Sequence, residues 1–193
     1  MASESNGVID IVQQAGQIPE YRRMADYVRR TAKVQPTNRV AKFDRIGTVG
    51  MFDPGANEIV YDPSADVGTV IHETAHAVDF YMAQQYLQGK MSPDTKATYE
   101  KLKYDPSGPD GKRFRSDQVL QAISKPTYNY EQRYRVDPGE ALAFSVQKAL
   151  TPQSKAIWPI ANHIDHTLAT EFMILLDKAT KDLPVSEPQP QQK

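Results

Sequence analysis

The sequence predicts an α+β fold: a small, mostly antiparallel sheet packed against one long helix, with further helices closing around them. Three observations carry this. Turn chemistry at Asp53-Pro54-Gly55-Ala56-Asn57 separates two short β-prone runs, Thr48–Phe52 and Glu58–Tyr61. Immediately afterwards, apolar residues recur at helical spacing from Val67 to Met82. The periodic segments elsewhere in the chain read as helices.

Taken in order, residues 1–7 are polar and expected to be loose, and Val8 to Gln14 fits a short helix. A stronger helix starts at Pro19, carries Tyr21, Met24, Ala25, Val28 and Ala32 on one face, and stops at Pro36. Its other side holds Arg22, Arg23, Arg29, Arg30 and Lys33, a pattern read as a solvated face before it is read as a nucleic-acid or anionic surface. The hairpin follows, its second strand stopped by Asp62-Pro63. The next helix has Ser64 or Asp66 as candidate caps and Gly89 as its stop. Val67, Ile71, Ala75, Val78 and Met82 form its buried stripe. Residues 90–136 read as a polar insert, helical over Pro93–Lys103, looped over 105–111 and helical again near 116–124. Tyr128, Tyr130 and Tyr134 cluster after it. A helix then runs from Asp137-Pro138 to about Leu150, and a last one from about Asn162 to Thr180. The tail from Pro184 is rich in Pro and Gln and is expected to be disordered. The resulting division is an N-terminal helical segment, 1–36, a main domain, 37–181, and a tail, 182–193.

Composition removes several classes of function. The 193 residues suit one domain with appendages. With 23 basic and 24 acidic residues the net charge is −1, against the strongly basic balance of a dedicated nucleic-acid binder. The absence of cysteine rules out thiolate metal sites, disulfides and a thiol nucleophile. No apolar run reads as a signal peptide or a membrane span, so a soluble, non-secreted chain is expected.

Chemistry concentrates in His72-Glu73-Thr74-Ala75-His76. Residues four apart on a helix lie one above the other, so His72 and His76 can grip one metal ion from the same side. Glu73 is then placed to act on a water at that ion as general base. By helical azimuth the two imidazoles fall on the border of the buried stripe, where a cleft would be. A catalytic metal needs a third protein ligand. The position six beyond His76 that would hold a third His is Met82. Asp79 is too close along the helix to close the same coordination sphere, but could accept a hydrogen bond from an imidazole. His163 and His166 have ligand spacing, yet also suit the start of an amphipathic helix. Glu140 lies in the first turn of a predicted helix, where it either binds metal or completes a capping box with Asp137. The residues alone leave that choice open.

Residues 45–150 resemble a zincin metallopeptidase of the gluzincin type. The HExxH helix carries the resemblance, together with the preceding strand Asn57-Glu58-Ile59-Val60-Tyr61 and the segment Pro138-Gly139-Glu140-Ala141-Leu142-Ala143-Phe144. That segment is similar to the proline-x-glutamate-x-x-alanine pattern of lethal-factor-like peptidases and to zincin modules of large phage and mobile-element proteins. The resemblance implies a zinc ion held by His72, His76 and Glu140, with Glu73 as catalytic base. The acidic residue often found four after the third ligand is Phe144 here. Such peptidases often supply a Tyr or His to the developing oxyanion, and Tyr134, ahead of Tyr130 and Tyr128, is the candidate.

The expectation is therefore a zinc-dependent endopeptidase acting on a protein or peptide substrate, bound as an added strand along the sheet edge. Its location would be cytoplasmic or virion-associated, with no membrane, nucleic acid unlikely as a partner, and a larger phage or mobile-element assembly as a plausible setting. The competing expectation is a structural or delivered module whose proteolysis is dormant or lost.

Overall fold

The computed structural model describes residues 10–43, 49–103, 138–153 and 166–184. The expected features at 1–7, 105–111, 116–124, Tyr128, Tyr130, Tyr134, Asp137, His163 and the tail beyond 184 lie outside the described residues, as does the side chain of His166. The chain is mixed α+β. A helical turn, α1 (10–15), leads into α2 (Pro19–Thr31). Three strands follow, β1 (Thr37–Val40), β2 (Gly50–Asp53) and β3 (Glu58–Tyr61). The remaining elements are helices: α3 (Val67–Leu87), α4 (Pro93–Lys103), α5 (Pro138–Leu150) and α6 (His166–Asp182).

The hairpin stands where turn chemistry put it. Asp53 Oδ1 accepts from the backbone N–H groups of Gly55 and Ala56, at 2.8 and 3.0 Å, and Asn57 turns the chain with φ of 53°. Asn takes the left-handed region more readily than most residues. Its side chain also ties the hairpin down. Asn57 Nδ2 donates to Val34 O at 2.8 Å, and Tyr81 on α3 donates to Asn57 Oδ1 at 2.7 Å.

The sheet itself corrects the expectation of a mostly antiparallel one. Its order is β1-β3-β2, with β2 antiparallel to β3 and β1 parallel to β3. The parallel pairing follows from the path of the chain, which leaves β1, forms the β2–β3 hairpin and returns β3 between the other two strands.

Helix α3 has well-defined ends. Asp66 is the N-cap: it accepts from Thr69 N–H at 2.9 Å, and the Thr69 hydroxyl reaches back to the Asp66 backbone. At the far end Gly89, with φ of 64°, gives Gly89 N→Tyr86 O at 3.0 Å and Lys90 N→Gln85 O at 2.9 Å, a Schellman ending. The predicted stripe is too narrow. Ile71, Ala75, Val78 and Met82 are buried as expected, but so are Val70, Ala77, Tyr81, His72 and Glu73. Neighbours pack on several sides: α2, the β2–β3 hairpin and, across the imidazole face, α5. His72 and Glu73 therefore lie inside the protein rather than on a border.

One apolar cluster joins these layers. It includes Tyr21, Met24 and Val28 of α2, the inner face of α3, Leu142, Ala143 and Val146 of α5, and Leu168, Phe172, Leu175 and Leu176 of α6. The end of α6 is held at two places. Asp182 Oδ2 accepts from Ser92 N at 2.9 Å, just ahead of α4, and the Arg30 guanidinium bonds the carbonyl of Pro184 at 3.0 Å. Among the described residues, no helix is long and apolar enough to cross a membrane.

Candidate metal centre

Helices α3 and α5 are 50 residues apart in sequence but lie side by side, and their facing side chains build the site. His72 and His76 project from α3 one turn apart. Glu140 enters from the first turn of α5. His72 Nε2 lies 3.0 Å from His76 Nε2 and 3.2 Å from Glu140 Oε2, and His76 Nε2 lies 3.4 Å from Glu140 Oε1. Among the described residues these three alone form a convergent group of potential metal donors. Donors about 2.0–2.1 Å from one ion and tetrahedrally disposed stand about 3.3–3.4 Å apart. The observed spacing is close to that.

The chemistry of the donor set also calls for a cation. His72 Nδ1 faces Gln147 Oε1 at 3.1 Å. A carbonyl oxygen accepts, so Nδ1 carries the hydrogen, and neutral His72 has only a lone pair at Nε2. That lone pair faces a carboxylate oxygen and a second imidazole nitrogen. A metal ion between them satisfies all three, whereas a single proton bridges only two. The residues present therefore fit a metal with one carboxylate and two imidazole ligands.

Electrostatics separates the two carboxylates. Burial alone would raise the Glu140 carboxyl, but where His72 and His76 carry protons in place of a metal ion, their hydrogen bonds and charge outweigh it and hold Glu140 well below the usual carboxylate range. Glu73 goes the other way. Its burial raises it, only partly offset by His72 and His76 and by the hydrogen bond from Phe52. One carboxylate is thus fixed as an anion, and the other is the better proton acceptor of the two, a division of roles typical of acid–base sites.

Strand β2 holds Glu73 in place. Antiparallel pairing alternates, and Asp62 N→Val49 O at 2.9 Å sets residues 49, 51 and 53 toward β3 and residues 50 and 52 outward. The outward Phe52 N–H donates to Glu73 Oε2 at 2.8 Å. Gly50 lies against the same carboxylate. A Cβ there would come within 2.6 Å of Thr69 Cγ2 and 2.9 Å of both Cγ and Oε1 of Glu73.

Two contributors, Gln147 and Gly50, escaped sequence reasoning. Gln147 is two helical turns beyond Glu140 on the same face of α5, so extending that face by seven residues would have found it. Gly50 had the faint signal of a glycine inside a strand pattern. Phe144, at the position where such peptidases often carry an acidic residue, packs its ring against His72, with centroids 4.4 Å apart. Asp79 is half-buried on α3 and is not one of the converging donors. No protein-family model, curated protein or solved structure matches the chain.

Proposed function

We propose that the chain is a zinc-dependent endopeptidase of the gluzincin kind, with His72, His76 and Glu140 as zinc ligands and Glu73 as general base. The observation that carries this is the convergence of three donors from two helices with a separately held, buried carboxylate beside them. Zinc, when bound, supplies a Lewis acid for the scissile carbonyl and makes water a better nucleophile near neutral pH.

The chain's own residues do the rest. Glu73 takes a proton from the attacking water and later delivers it to the leaving amine nitrogen, so the same oxygen must exchange partners twice. With Oε2 anchored by Phe52, Oε1 is left for that traffic. Glu140 stays anionic throughout and supplies the one negative charge among the ligands. The peptide substrate pairs with a sheet edge as an added strand, and Tyr134 donates to the developing oxyanion.

The test is metal analysis of purified protein together with a casein or peptide-library digest by wild type and Glu73→Gln in parallel. About one zinc per chain in both proteins is expected, with hydrolysis by wild type lower by about 10²–10⁴ in the variant. Equal cleavage by the two proteins sinks the peptidase mechanism. Stoichiometric zinc with cleavage by neither turns the reading toward a zincin-fold module carried for another purpose.

A further inference from the structure

Resting on the zinc reading above, we propose that Gln147 is a positioning residue of the metal centre. It holds His72 as the Nδ1–H tautomer with the Nε2 lone pair turned to the ion. The argument begins with burial. Gln147 is 1% exposed and His72 7%, so neither polar group meets bulk water. A buried amide among Ala143 and Val146 costs stability unless paired, and its side-chain oxygen meets His72 Nδ1 at 3.1 Å. Turning of the imidazole out of this pairing is hindered, since Phe144 and His76 both pack against its ring, with centroids 4.4 and 4.7 Å away.

One face of α5 therefore serves the site at three heights. Glu140 offers a ligand, Phe144 a wall, and Gln147 an acceptor, at positions i, i+4 and i+7. A ligating imidazole needs such a partner to fix which nitrogen keeps its proton. Here the partner is a neutral amide. It fixes orientation without adding a second negative charge behind the ligand. Glutamate at the same place can only accept, so it preserves the tautomer and makes the imidazole a stronger donor. Leucine keeps the volume and loses the acceptor.

The experiment measures zinc affinity by competition with a chromophoric chelator for wild type, Gln147→Leu and Gln147→Glu, with nitrogen-15 NMR of the histidine side chains in the zinc-loaded wild type. Gln147→Leu should bind zinc about 10–100-fold more weakly, the usual cost of an outer partner, and Gln147→Glu at least as tightly as wild type. The NMR should show His72 protonated at Nδ1. Should the leucine variant fail to fold, Gln147→Met, of equal length, replaces it. Wild-type affinity in the folded apolar variant overturns the proposal and leaves the zinc reading standing, whereas a proton on Nε2 of His72 takes that nitrogen off the ion and overturns the ligand set as well. A wild type that binds no zinc brings down both.

Discussion

Gly50 and Glu73 press against each other at a distance that leaves no room for a methyl group. Alanine at position 50 should push either the Thr69 side chain or the Glu73 carboxylate aside. The expected result of Gly50→Ala is a loss of about 1–3 kcal/mol in a denaturant melt, as for other overpacked sites. Turnover should fall while zinc affinity is retained, because no ligand is touched. A variant with wild-type stability and turnover would mean that β2 stands farther from α3. At this scale the sequence was unevenly legible. The imidazole pair and Glu73 could be read because their relation is local, set by one turn of one helix. Glu140 was ambiguous for a physical reason: a Glu in a first helical turn satisfies backbone donors whether or not a metal is near. Gln147 and Gly50 act across elements, and nothing within a few residues of either reveals what it will face.

At the scale of elements, α3 and the hairpin were legible from capping, turn and period signals. Strand β1 was not. Thr37-Asn38-Arg39-Val40 is polar and largely exposed, with no alternation of apolar residues, and it is a strand because β3 offers it an edge. The α4–α6 junction gives a prediction in pH. Burial would raise the Asp182 carboxyl, but hydrogen bonds from the Ser92 backbone and from the Thr95 and Ser92 side chains outweigh it and lower it. A folded value below the unfolded one favours folding above the ordinary Asp value of about 3.9, and that contribution fades as pH falls through the lowered value. Wild type should therefore melt above Asp182→Asn at pH 6, and the gap should close as the solution is taken well below pH 3.9. The residue is only partly buried, which keeps the effect small. Melting temperatures across that range decide it; a gap that widens in acid contradicts the assignment.

For the whole molecule, the ligands come from helices that belong to one core, so metal binding and folding are linked. An ion that binds only the folded chain stabilises it by about 2.7 kcal/mol at a free concentration 100 times its Kd. Zinc should raise the melting temperature of wild type, chelator should reverse the rise, and His76→Ala should show neither effect. A zinc-dependent rise that survives in His76→Ala would place the ion elsewhere. The hydrogen bond from Phe52 to Glu73 has a wider consequence. An outer strand with unused backbone donors invites another strand to pair with it, in the same protein or in a neighbouring copy. Here the carboxylate of the proposed base occupies one of those donors, so Glu73 also guards the molecule against sticking to itself. Glutamine at position 73 retains an oxygen for that task, whereas alanine strips it away. An inactive form intended for trapping a bound peptide should carry the amide, since the alanine form would tend to self-associate through β2.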